Sequence, residues 1–67
     1  MSIELTAAQA LTIGRIIDGY GPLAGNQITV SGLPGASTEY PGTLHVYYAP
    51  MAHGYRVLTD GTAVRVS

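Results

Sequence analysis

From Thr43 to Ser67 the chain reads TLHVYYAPMAHGYRVLTDGTAVRVS, alternating apolar and polar residues on either side of one dipeptide, Asp60-Gly61. Alternation of this kind marks half-buried strands. Asp-Gly between two such runs is the strongest short hairpin signal, because a type I′ turn needs positive φ at both central residues. A two-residue turn at Asp60-Gly61 sets Thr59 against Thr62, Leu58 against Ala63, Val57 against Val64, Arg56 against Arg65 and Tyr55 against Val66. The preceding link, Pro50-Met51-Ala52-His53, is looser. Closing it with Ala49 opposite Gly54 brings Tyr48 to Tyr55, Tyr47 to Arg56, Val46 to Val57 and His45 to Leu58.

Successive strand residues point to opposite faces, so this register sorts the side chains. One face carries Leu44, Val46, Tyr48, Tyr55, Val57, Val64 and Val66 and is the expected core face. The other carries His45, Tyr47, Arg56, Leu58, Ala63 and Arg65. A slip of one residue in either turn exchanges the two sets for the strand beyond it.

The N-terminal half is helical by its boundary signals. Thr6-Ala7-Ala8-Gln9 is a capping-box pattern, in which the threonine hydroxyl accepts from the Gln9 backbone and the glutamine side chain reaches back. The spacing predicts a helix over about 7–18, ended by Gly19 and the Gly21-Pro22 pair, with an apolar stripe of Ala10, Ile13, Ile16, Ile17 and Tyr20 beside Leu11. Gly14 weakens such a helix by about 1 kcal/mol relative to alanine. A strand is expected at about 27–31, followed by a long link, 32–43, with Pro-Gly pairs at 34–35 and 41–42 suited to type II turns. Further strands fall at about 43–49, 54–59 and 62–67. The expected fold is α+β: a single small domain spanning 1–67, one N-terminal helix packed on an antiparallel sheet of three to four strands.

A chain of 67 residues buries only about 60% of the surface exposed when unfolded, so its core is marginal. It has no Cys, Phe or Trp, and the core must be built from Ile, Leu, Val, Ala and Tyr. Without a disulfide, self-association or docking on a protein partner is the expected source of extra stability. Charged residues are 10% of the chain and the net charge is −1; there is no Lys, and the cations are Arg15, Arg56 and Arg65. A nucleic-acid binder needs a basic stripe to neutralise phosphates, so nucleic acid is not an expected partner. No stretch approaches the roughly 18 apolar residues of a membrane span. No basic region followed by an apolar run opens the chain, so a soluble protein without a signal peptide is expected.

The candidate binding residues follow from the register. Arg56 opposite Arg65 is a like-charge pair, destabilising on a sheet unless an acid, an anion or the ring of Tyr47 offsets it. With His45 on the same face, these residues form the candidate partner- or anion-binding surface. Leu33, Pro34, Glu39 and Tyr40, in the long link, are the candidate interface loop, since unstructured links of that length in small domains tend to be functional. His45 and His53 fall at opposite ends of one hairpin with no supporting ligands, so neither a metal nor another cofactor is expected. No nucleophile has a base beside it, which argues against an enzyme. Ser31-Gly32-Leu33-Pro34-Gly35 lacks the lysine and following helix of a phosphate-binding loop.

These features point to a non-enzymatic structural or assembly subunit that oligomerises or docks on a larger particle, with a small phage virion component as the class that fits. Its location would then be the virion or the host cytoplasm. The alternative is a small binding or inhibitor protein that uses Tyr47, Arg56 and Arg65 to hold an anionic ligand or an acidic protein surface.

Overall fold

The capping box at Thr6 opens the fold. In the computed structural model, which describes residues 5–32 and 42–67, Gln9 N donates to Thr6 Oγ1 at 3.1 Å and Thr6 N donates to Gln9 Oε1 at 2.9 Å. Helix α1 runs from there over Ala7–Tyr20. It passes through Gly19, where the sequence suggested a stop, and ends at Gly21, whose φ of 111° ends the helical path. Gly14 has no atom within 4 Å of where a Cβ would stand, so it is merely tolerated there.

Four strands follow: β1 (Ile28–Gly32), β2 (Leu44–Tyr48), β3 (His53–Val57) and β4 (Ala63–Arg65). They form one antiparallel sheet in the order β1-β2-β3-β4, with α1 packed on one face. The α+β architecture expected from the sequence is therefore the one observed. Ile13 of α1 meets Leu44, Val46 and Val57 of the sheet, with Ile16, Ile17, Ile28, Val30 and Tyr55 packed around them. Val46 and Val57 are fully buried, and each contributes roughly 1.5–3 kcal/mol of burial free energy. The helix stripe differs from expectation at one turn: Ala10 faces solvent, and Gln9, 1% exposed, takes the inward place.

Both hairpin registers depart from the simplest reading of the sequence, with opposite consequences. The β2–β3 link keeps four residues but occupies Ala49–Ala52, so Tyr48 pairs with His53, Tyr47 with Gly54 and Val46 with Tyr55. Tyr47 therefore does not face Arg56, nor Val46 Val57. Pro50 starts a 3₁₀ turn over Ala49–Met51, and Ala52 closes it in the left-handed region at φ 54°. Sliding the loop by one residue moves the register by two, and strand parity is preserved: Leu44, Val46, Tyr48, Tyr55 and Val57 stay on the helix side.

The β3–β4 turn is three residues long, not two. Only Gly61 has positive φ, 91°, so a type I′ turn at Asp60-Gly61 is not formed. Leu58 N instead donates to Thr62 O at 2.8 Å and Gly61 N to Leu58 O at 2.9 Å, the pattern of a turn closed by a left-handed glycine. Asp60 Oδ1 accepts from Thr62 N at 2.8 Å and fixes the bend. The register moves by one, giving Arg56↔Val64, Tyr55↔Arg65 and Val57↔Ala63. Every β4 side chain thereby changes face. Val64 and Val66 leave the core side, Arg65 and Ala63 join it, and the expected Arg56–Arg65 opposition does not exist.

Three more hydrogen bonds seat this turn on the start of α1: Thr6 Oγ1 to Thr59 O (2.7 Å), Thr12 Oγ1 to Gly61 O (2.6 Å) and Gln9 Nε2 to Val57 O (3.1 Å). A Cβ on Gly61 would stand 3.0 Å from Ala8 O, so the helix requires glycine there for space as well as for φ. Gln9 Nε2 also donates to Gly42 O at 2.8 Å, tying the entry to β2 into the same network.

Candidate functional site

The sheet face turned away from α1 gathers most of the residues singled out above. In one row across it stand Ser31, His45, Arg56 and Val64, and in the next Thr29, Tyr47 and Gly54. His45 is directly opposite Arg56, and the His45 and Tyr47 rings lie 6.2 Å apart and 22° from parallel. Gly54 is buried beneath its neighbours: a Cβ there would come 2.5 Å from Ser67 Oγ and 3.2 Å from His45 Nε2. Val66 N donates to Gly54 O at 2.8 Å and carries the chain past the end of β4 along the same edge.

Beside Arg56 the face hollows. Thr43, Arg56, Leu58, Val64 and Val66 line a depression of about 220 Å³. Val64 is 48% exposed and Val66 46%, and no described helix or strand lies over them. The described acids are Asp18, on α1, and Asp60, in the β3–β4 turn, so this face carries a cation and no carboxylate among the described residues.

Arg65, expected on this surface, stands on the other face opposite Tyr55, its Nε donating to Ser67 O at 2.8 Å. The two-arginine clamp is therefore not assembled: His45, Tyr47 and Arg56 come together and Arg65 does not. Leu33, Pro34, Glu39 and Tyr40 lie outside the described residues. His45 and His53 project to opposite faces of the sheet, and no three His, Cys, Asp or Glu side chains gather among the described residues. No helix among them is long and apolar enough to cross a membrane.

A second cluster lies on the helix side, where Tyr20, Tyr48 and Tyr55 stand on their expected faces and His53 joins them. Tyr20, in the last turn of α1, stacks on Tyr48 with ring centroids 4.0 Å apart and planes 23° from parallel. Its hydroxyl contacts His53 Nδ1 at 2.7 Å and also the Tyr55 hydroxyl. The hydrogen bond with Tyr55, then partial burial, raise the Tyr20 phenol above its ordinary pKa, while the nearby Arg65 charge works the other way. Tyr20 belongs to the apolar stripe read from the helical spacing, but its hydroxyl partners His53 and Tyr55 lie 33 and 35 residues along the chain, where no local pattern marks them. Val64 and Val66 were legible only to a three-residue reading of the Asp-Gly turn.

The two surfaces have different chemical capacity. The tyrosine–histidine cluster uses its polar atoms on itself and locks the helix end to the sheet. The outer face has apolar area, one guanidinium and an imidazole, with no described helix or strand laid across them. Comparison with protein-family models, with curated proteins and with solved structures returns no match.

Proposed function

We propose that this chain is a non-enzymatic assembly subunit that works by contact, through the outer face of its sheet. The observation that carries this reading is the hollow around Val64 and Val66, apolar side chains left about half exposed on a face that nothing described covers. Antiparallel sheets tolerate one solvated face, but that face is then normally polar. A contiguous apolar area rimmed by polar residues is the mark of a contact surface. The scarcity of charge, 10% of residues, also favours a surface covered in use. A small component of a larger particle, such as a virion, is the setting this reading implies.

The test is solution mass by light scattering, from high to low micromolar concentration, on the wild type and on Val64→Arg. A mass of several chains that falls on dilution, reduced to one chain by the substitution, supports the reading. A multi-chain mass unaffected by the substitution removes the outer face from it. A second reading, a binder of acidic protein surfaces through Tyr47 and Arg56, is favoured by the cation on a face without carboxylates among the described residues. It is supported by a monomeric wild type whose melting temperature rises with phosphate and whose response is lost in Arg56→Ala.

A further inference from the structure

The outward side of α1 complements the outer face of the sheet. Opposite the buried Gln9 and Ile13, the helix presents Ala7, Leu11, Gly14 and Asp18, at intervals of four, three and four residues that keep them on one stripe. Leu11 is 59% exposed, and the space over Gly14 is open. The sheet face offers the reverse: the depression lined by Leu58, Val64 and Val66, with Arg56 at its side. One surface is a ridge with an apolar knob and a carboxylate; the other is a hollow with an apolar lining and a guanidinium.

Resting on the reading that the outer face is a contact surface, we infer that its occupant is the helix of a second copy of this chain, packed head to tail. Leu11 of one copy enters the hollow of the next, and Asp18 of that copy pairs with Arg56. Charge complementarity selects this arrangement over a twofold one. Two outer faces brought together would bring two Arg56 side chains into one contact with no described carboxylate on either face to pair with them. Arg15, four residues from Leu11 and three from Asp18, flanks the same stripe. The two surfaces lie on opposite sides of a helix-on-sheet unit, so each copy that is captured presents a fresh helix. Contacts of this heterologous kind propagate into a ring where the rotation closes and into a filament where it does not.

Two variants with one blocked surface each test this directly. Leu11→Arg blocks the helix stripe and Val64→Arg the hollow; both positions are exposed, and circular dichroism checks that both variants fold. Each alone is expected to have the mass of a single chain, while an equimolar mixture forms a two-chain species from the one intact helix and the one intact hollow. A Leu11→Arg variant that keeps the wild-type multi-chain mass, while Val64→Arg loses it, overturns the head-to-tail contact and leaves the outer face as the contact surface. A wild type of single-chain mass at every concentration overturns both. The charge pair gives an independent arm. Asp18→Arg and Arg56→Asp are each expected to weaken association roughly tenfold, with their mixture recovering it; a mixture no tighter than either variant overturns the pairing.

Discussion

The two ends of the helix–sheet interface are held by different chemistry. At the start of α1, side-chain hydroxyls and one amide bond to backbone carbonyls of the β3–β4 turn: Thr6 to Thr59, Gln9 to Val57 and Thr12 to Gly61. At its end, rings do the work: Tyr20 stacks on Tyr48 and its hydroxyl meets Tyr55 and His53. The first kind of contact recognises backbone and depends on where a turn runs. The second recognises side chains and depends on which face of the sheet they occupy. A domain with so few large apolar residues in its core uses both, one at each end of the Ile13 cluster.

The largest expected effect is at the backbone-reading end. Gln9→Ala removes the buried side-chain donor to the Val57 and Gly42 carbonyls and half of the capping box, and should cost about 3 kcal/mol in urea unfolding. Gly61→Ala should cost about 2 kcal/mol, because alanine is strained at φ 91° and its Cβ crowds Ala8. Tyr20→Phe keeps the stacked ring and loses only the hydroxyl contacts, so about 1 kcal/mol is expected. If Tyr20→Phe proves as damaging as Gln9→Ala, the contrast between the two ends fails and the hydroxyl cluster is the stronger clamp.

The smallest effect is a pH dependence. The backbone hydrogen bond from Thr62 holds the Asp60 carboxyl below its ordinary pKa. A depressed carboxylate contributes stability that is present above its unfolded value, about 3.9, and is lost as pH falls through the folded value. Denaturant midpoints recorded on the acid side should therefore decline less in Asp60→Asn, which keeps an acceptor oxygen but does not titrate. An identical decline in both proteins would show that the turn does not depend on this charge.

What could be read in the sequence was what depends on neighbours along the chain. The Thr6–Gln9 capping box needs only residues three apart, and it forms as expected. The other half of Gln9's role lies with Gly42 and Val57, 33 and 48 residues away, and no local pattern marks a glutamine for burial. Tyr48 and Tyr55 kept their expected face because the β2–β3 loop slid without changing length. Val64 and Arg65 exchanged faces because Asp-Gly fits two turns: the two-residue type, with both residues at positive φ, and the three-residue type, with the glycine alone there. The longer turn is held by Asp60 Oδ1, which accepts from Thr62 N, and by contacts from α1. The Thr6 and Thr12 hydroxyls take the Thr59 and Gly61 carbonyls as the longer turn presents them. Of the candidate surface residues, His45, Tyr47 and Arg56 lie upstream of that ambiguous turn and were grouped correctly; Arg65 lies beyond it and was not.

The length of the Thr59–Gly61 turn thus acts as a selector for what the molecule displays. Removing one residue from it would rotate Val64 inward and bring Arg65 outward beside Arg56, replacing a partly apolar surface with a strongly basic one, with no codon altered in either strand. A single in-frame deletion would therefore change the chemistry of the outer face while leaving β3 and β4 themselves unaltered. The hydroxyls of Thr6 and Thr12, gripping the turn at its present length, are what hold that change in check.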